Sequence, residues 1–144
     1  MSPRDFARFG WLYLNEGRWR NQAVISARHA RMAARDPLPL GIPRTRAEEA
    51  GRCATRSIGG GGNQADHQGG YSWLWWLNTL SRDGRRWWPD APEDMFCALG
   101  HCGQRGVAIL PSQQIVMSWN DAKELHCNRD LGNHVFQLLK ESVR

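Results

Sequence analysis

Residues 36–70 change the character of the chain and limit what it can fold into. Pro37, Pro39 and Pro43 are followed by Gly59-Gly60-Gly61-Gly62 and then by Gly69-Gly70. Proline and glycine at this density read as a mobile loop, and the stretch has little apolar content to bury. The glycine run has no strand before it and no Gly-Lys-Ser/Thr after it, so it is not a phosphate loop. The chain has 144 residues, one domain's worth of material. Apolar residues make up 41%, and the 15 glycines bring that near the globular share, which argues against wholesale disorder. No run of about 18 apolar residues occurs, so no membrane span is expected. Met1-Ser-Pro-Arg-Asp5 is not followed by the apolar stretch of a secretory signal, so the chain as written is expected in the cytoplasm.

The flanks of the loop carry clearer signals. Ser2 is an N-cap candidate, Pro3 suits the first helical position, and Asp5 stands where a carboxylate meets free N–H groups. Phe6, Phe9, Leu12 and Tyr13 recur at helical spacing, and Gly17 is a stop. A short extended piece follows at residues 23–25, and Ser26 caps a second helix to about Ala34. Past the loop, Tyr71-Ser-Trp-Leu-Trp-Trp-Leu77 reads as a strand. A polar loop over residues 81–94 leads to a strand near Met95 to Leu99. Residues 107–110 and 115–119 form a hairpin pair around Pro111. Residues 133–143 are an amphipathic helix with Val135, Leu138 and Leu139 on one face. The order of elements predicts an α+β domain, helices packed on one antiparallel sheet.

The net charge of +5 is lopsided. Residues 1–62 hold 11 Arg against 5 acidic groups, yet these Arg are scattered singly rather than gathered in a stripe. Nucleic acid is therefore not an expected partner. The four cysteines, Cys53, Cys97, Cys102 and Cys127, make no Cys-x-x-Cys and no disulfide scaffold. Free, mostly inert thiols are expected. Two His-Cys dipeptides occur, His101-Cys102 and His126-Cys127. They fit no usual structural-zinc spacing, and two adjacent ligand pairs are strained at a tetrahedral ion, so no metal or cofactor is expected.

Three segments carry a resemblance. Asp5-Phe-Ala-Arg-Phe-Gly-Trp-Leu-Tyr-Leu-Asn-Glu-Gly-Arg-Trp19 is similar to the "D-L-A-R-F-G-L-L-Y-L-N-G-G-R-W" segment of the β-lactamase-related serine hydrolases. That family includes class C β-lactamases, D-alanyl-D-alanine carboxypeptidases and esterase-like enzymes. Tyr71-Ser-Trp-Leu-Trp-Trp76 resembles their "Y-G-x-L-W-W" strand, and Gly100-His-Cys-Gly-Gln104 their "G-H-G-G-Q". The motifs come in the family's order and span residues 2–120. The resemblance covers only the C-terminal part of such an enzyme, so residues 1–144 are expected to be a single partial domain of the β-lactamase/transpeptidase-like fold. It implies a parent that hydrolyses β-lactam, D-Ala peptide or ester bonds through an acyl-serine, often in the periplasm or outside the cell.

The family's nucleophile sits in Ser-x-x-Lys, where the lysine helps take the serine proton. No serine of this chain has Lys three residues on, and its only lysines are Lys123 and Lys140. Tyr13-Leu-Asn15 spells the family's Tyr-x-Asn, but the resembling segment has this tyrosine in a helix downstream of the catalytic one, and its spacing with Phe6 and Phe9 favours packing. The remaining motif is matched by His101, Cys102 and Gly103. The resemblance implies that His101 engages a substrate carboxylate from a strand edging a groove, that Gly103 lets substrate approach the backbone, and that Gln104 belongs to the same substrate edge. Cys102 replaces a smaller residue and narrows that groove. It is not expected to act as a nucleophile, because neighbours on a strand face opposite ways.

The expected function is thus that of a C-terminal fragment, inactive alone, accepting a small acyl substrate only when completed by its N-terminal part. The resemblance also implies that the Ile115 to Trp119 strand lacks its family neighbours, which leaves an edge for homo-oligomers. The rival expectation is a non-catalytic binding module whose Trp73, Trp75, Trp76, Trp87, Trp88 and Trp119 grip an anionic or aromatic partner.

Overall fold

A computed structural model describes residues 2–39 and 68–143. The mobile loop expected over residues 36–70 lies largely outside them.

Helix α1 spans Pro3–Leu14. Its start is the expected one: Ser2 Oγ accepts from Asp5 N at 3.3 Å while Ser2 N donates to Asp5 Oδ2 at 3.1 Å. This reciprocal cap satisfies N–H groups that the first turn leaves open. The helix closes at Asn15, and Gly17 turns the chain with φ 85°. A Cβ at Gly17 would collide with the carbonyl oxygen of Ile25, so glycine is required there twice over. A two-residue ladder follows, β1 (Arg18–Trp19) with β2 (Gln22–Ala23), turning through Arg20 at φ 54°. Helix α2, Ala27–Arg35, is capped by Ser26, whose Oγ accepts from His29 N at 3.1 Å. It ends at Asp36, where Pro37 disfavours a further helical residue.

The second sheet is a meander of β3 (Trp76–Leu77), β4 (Phe96–Gly100), β5 (Arg105–Leu110) and β6 (Ile115–Trp119), all antiparallel and in chain order. Its register pairs Leu77 with Phe96, Phe96 with Ile109, and Ile109 with Val116. Helix α3, Arg129–Ser142, starts at an Asn128 cap, several residues before its apolar face begins. The α+β architecture is as expected.

One element differs. Tyr71–Leu77 is not a continuous strand but a tight fold-back. Tyr71 bridges to Trp76, Ser72 N donates to Trp75 O at 2.8 Å, and Leu74 takes φ 68°. Only Trp76 and Leu77 join the sheet. The fold-back seats Ser72 in the interior, where its hydroxyl donates to the carbonyl of Asp36 at 2.8 Å and ties this turn to the end of α2. A straight strand would leave that buried hydroxyl without its partner.

The sheet is covered on both faces. On one, Phe96, Val107, Ile109 and Leu77 pack with Trp75 and Ala33, against Phe6, Tyr13 and Leu14 of α1. On the other, Cys97, Ala108 and Leu110 pack with Trp88, Met95 and Phe136 of α3. The alternation of Phe96/Cys97 and of Val107/Ala108/Ile109/Leu110 between faces is the period-2 pattern of a strand buried on both sides.

Candidate functional site

The residues expected to mark a substrate edge lie at the β4–β5 hairpin, close to a wall of tryptophans. The last paired residues of the hairpin are Gly100 and Arg105, so His101, Cys102, Gly103 and Gln104 form its tip. Three successive residues are left-handed: His101 at φ 50°, Cys102 at 52° and Gly103 at 93°. His101 and Cys102 therefore sit in a tight turn, not on the strand that the resemblance implies, and the strand rule for opposite-facing neighbours does not apply to them. The sequence brings His101, Gly103 and Gln104 together, and the fold presents His101 to solvent while Gly103 and Gln104 are half-buried.

The turn is fastened to the segment after β6. Trp119 Nε1 donates to Gly103 O at 2.8 Å, Ala122 N to Gln104 O at 3.0 Å, and Cys127 N to Cys102 O at 2.6 Å. A Cβ at Gly103 would lie 2.8 Å from the carbonyl oxygen of Leu125, so this contact and the positive φ both select glycine. Cys102 and Cys127 form a disulfide, with Cα atoms 5.0 Å apart. This overturns the expectation of free thiols for these two. Their pairing comes from the same hydrogen bonds that hold residues 119–127 against the hairpin, a tertiary contact that cysteine spacing does not encode. Cys97 remains a free, buried thiol, and burial alone pushes its pKa up, so it is inert as expected. Cys53 lies outside the described residues.

The sequence offers His126 beside His101, Cys102 and Cys127 only as a strained zinc set that is not expected, yet the fold brings it to this place. Its Nδ1 lies 3.3 Å from the carbonyl oxygen of His101, and the two imidazole centroids are 5.8 Å apart. Sulfur and nitrogen donor atoms of Cys102, His126 and Cys127 all fall within 4.8 Å of one another. The repeated His-Cys dipeptide was the signal available.

Beside the disulfide, a cleft of about 560 Å³ runs between the sheet and α3, walled by Trp76, Trp87, Trp88, Trp119 and Phe136. The Arg129 guanidinium carbon sits 4.3 Å above the Trp87 ring, and Trp87 Nε1 is buried without a hydrogen-bond partner among the described residues. Trp88 is fully in the core, whereas Trp73 is half exposed, does not line the cleft and lies with its ring 6.4 Å from that of His29. Trp75 lies on the other sheet face, edge-on to Tyr13 at 4.7 Å and to Phe96 at 5.1 Å. Tyr13 is thus a packing residue, as its spacing implied. The tryptophans do not form one surface.

No helix among the described residues is long and apolar enough to cross a membrane. No protein-family model, curated protein or solved structure matches this chain.

Proposed function

We propose that this chain is the C-terminal portion of a β-lactamase-related serine hydrolase and is catalytically inert by itself. One observation carries the reading. The three segments that resemble the family converge on a single sheet: α1 lies on β5 and β6, the Tyr71–Trp76 fold-back pairs with β4, and Gly100–Gln104 is the tip between β4 and β5. His101 is free to meet a substrate at that tip, in keeping with a substrate edge that includes Gly103 and Gln104. The missing Ser-x-x-Lys removes both the attacking oxygen and its base, so no acyl-serine forms on this chain. The substrate is a small acyl compound, a β-lactam, D-Ala peptide or ester, and only in a completed enzyme. The test is to express the chain with the coding sequence upstream of Met1. An in-frame Ser-x-x-Lys, with chromogenic β-lactam or p-nitrophenyl ester turnover that depends on that serine and is lost in His101→Ala, supports the reading. Turnover by the present chain alone, surviving purification, overturns it.

A second reading is favoured by the cleft. A cavity of about 560 Å³ walled by indoles, with a cation at its rim and a Trp87 N–H that has no partner among the described residues, is of ligand size and suits an aromatic anion. Quenching of tryptophan emission by an aryl carboxylate, weakened by salt and abolished in Arg129→Ala, would make the chain a binding module. Salt-sensitive retardation by nucleic acid would point to a polyanion instead.

A further inference from the structure

We propose that reduction of the Cys102–Cys127 disulfide converts this corner of the fold into a zinc site, with both thiolates and an imidazole nitrogen of His126 as ligands. The proposal is independent of the hydrolase reading and concerns residues which that reading does not use, apart from Cys102.

The donor set comes first. Two cysteine sulfurs and one imidazole are ligands that zinc prefers, and here their donor atoms already lie within 4.8 Å of one another. Only one adjacent pair, His126-Cys127, is asked to bind together; the other ligand arrives from a different segment, so the strain of two adjacent pairs does not arise. All three residues are exposed, giving reductant and metal a way in. Tetrahedral zinc with thiolate bonds of about 2.3 Å needs its sulfurs ~3.8 Å apart. Side-chain rotation after the S–S bond opens reaches that spacing from Cα atoms 5.0 Å apart.

The second requirement is that the site outlast the bond. Three hydrogen bonds hold the two segments in place besides the disulfide: Cys127 N to Cys102 O, Ala122 N to Gln104 O, and Trp119 Nε1 to Gly103 O. The His126 ring is oriented as well. Its Nδ1 faces the carbonyl oxygen of His101 at 3.3 Å, and with the proton on Nδ1 this is the outer hydrogen bond that metal-binding histidines make, leaving Nε2 for the ion. The fourth position opens toward solvent at the end of the tryptophan cleft, which Cys102 and Cys127 both line.

The chemistry balances as two steps. A dithiol reductant delivers two electrons and two protons to the S–S bond and leaves as its own cyclic disulfide, giving two cysteine thiols. Zinc then binds both sulfurs and the neutral imidazole, and the two thiol protons pass to solvent.

The experiment uses the full chain with Cys53→Ser, reduced with dithiothreitol, desalted without oxygen, and titrated with Co²⁺ and then Zn²⁺. One Co²⁺ per chain should bind, with the visible bands of a tetrahedral ion and a thiolate charge-transfer band in the near ultraviolet, and Zn²⁺ should displace it. The oxidised chain should give neither band. His126→Ala, which keeps the disulfide and so folds when oxidised, should weaken binding about tenfold or more after reduction. Circular dichroism guards against a reduced chain that unfolds: added zinc should then restore its native spectrum, and failure to do so overturns the proposal. Binding without a thiolate band, equal binding by the oxidised chain, or unchanged affinity in His126→Ala also overturns it.

Discussion

Asn78 and Trp88 exchange a reciprocal pair of hydrogen bonds: Asn78 Nδ2 donates to Trp88 O at 2.9 Å, and Trp88 N donates to Asn78 Oδ1 at 3.0 Å. Asn78 is wholly buried just after β3, and its Nδ2 reaches Pro92 O as well, at 3.0 Å. One side chain therefore pins the loop that delivers Trp88 into the core and sets Trp87 at the cleft.

Asn78→Ala should cost about 2–4 kcal/mol, because it leaves buried backbone groups unpaired and opens a void. Chemical denaturation of the two chains measures this. A loss below about 0.5 kcal/mol would mean that the loop is held by its tryptophans alone.

Gly10 governs how closely α1 approaches the sheet. A Cβ there would stand 2.6 Å from Val116 Cγ1 and 2.7 Å from Val107 Cγ2. Both neighbours are β-branched and stiff, so they cannot swing aside. Alanine gains about 1 kcal/mol of helix propensity. Overpacking costs about 1–3 kcal/mol. Two contacts under 3.0 Å put the overpacking at the upper end of that range, about 2–3 kcal/mol, so Gly10→Ala should lose about 1–2 kcal/mol net, read from the same denaturation curves. An unchanged or raised stability would mean that α1 shifts outward freely.

These sites illustrate which parts of the fold the sequence discloses. The starts of α1 and α2 are legible because a cap is a local event: Ser2 with Asp5, and Ser26 before His29, need only three residues of context. The β5–β6 hairpin is legible for the same reason. Tyr71–Leu77 misleads because aromatic alternation looks extended, while its turn is set by Ser72 bonding to a residue 36 positions away. The early start of α3 escapes because Asn128, Arg129 and Asp130 precede the apolar face. At the candidate site, His101 to Gln104 stand out by motif. His126 and Cys127 stand out as a second His-Cys dipeptide, but that they meet Cys102 is set by the hydrogen bonds of residues 119–127 to the hairpin tip, which spacing does not encode.

Acid should loosen the start of α1. The Ser2 hydroxyl and then the Ser2 N–H hold the Asp5 carboxyl below its ordinary 3.8, with Arg8 adding attraction. A carboxyl depressed in the folded state stabilises above its unfolded pKa, and that contribution fades as pH falls through the lower folded value. The melting temperature of the parent chain should thus exceed that of Asp5→Asn near neutrality, and the gap should shrink once pH drops below 3.8. A gap that stays constant down to strong acid would mean that the cap does not depend on the charge.

Opening the disulfide should be costly in the absence of metal. Cys102 and Cys127 are 25 residues apart, a loop whose closure restricts the unfolded chain by about 3–4 kcal/mol in the chain-entropy account. Denaturation midpoints with and without reductant, under chelator, should differ accordingly, and Cys102→Ser combined with Cys127→Ser should match the reduced chain. Identical midpoints would show that the hydrogen bonds around Gly103 alone fix this corner.

The remaining expectation concerns β6. Among the described residues it pairs with β5 alone, so its outer N–H and C=O groups face outward along five residues. The other edge, β3, is only two residues long and offers little to pair with. All five residues of β6 are half-buried, and four of them are apolar. No lysine or proline blunts the strand, and α1 covers one side of it without closing the edge: Val116 packs under the helix, and the Ser118 hydroxyl donates to the carbonyl of Pro3. A strand of this kind is a template for another strand. The chain by itself should therefore dimerise or aggregate through Ile115–Trp119, and Met117→Lys, placing a charge on the edge beside the open cleft, should shift it toward monomer. Sedimentation across a concentration series decides this. A monomer at every concentration, with a cooperative melt, would mean that the edge is already protected and that the domain stands without a neighbouring strand.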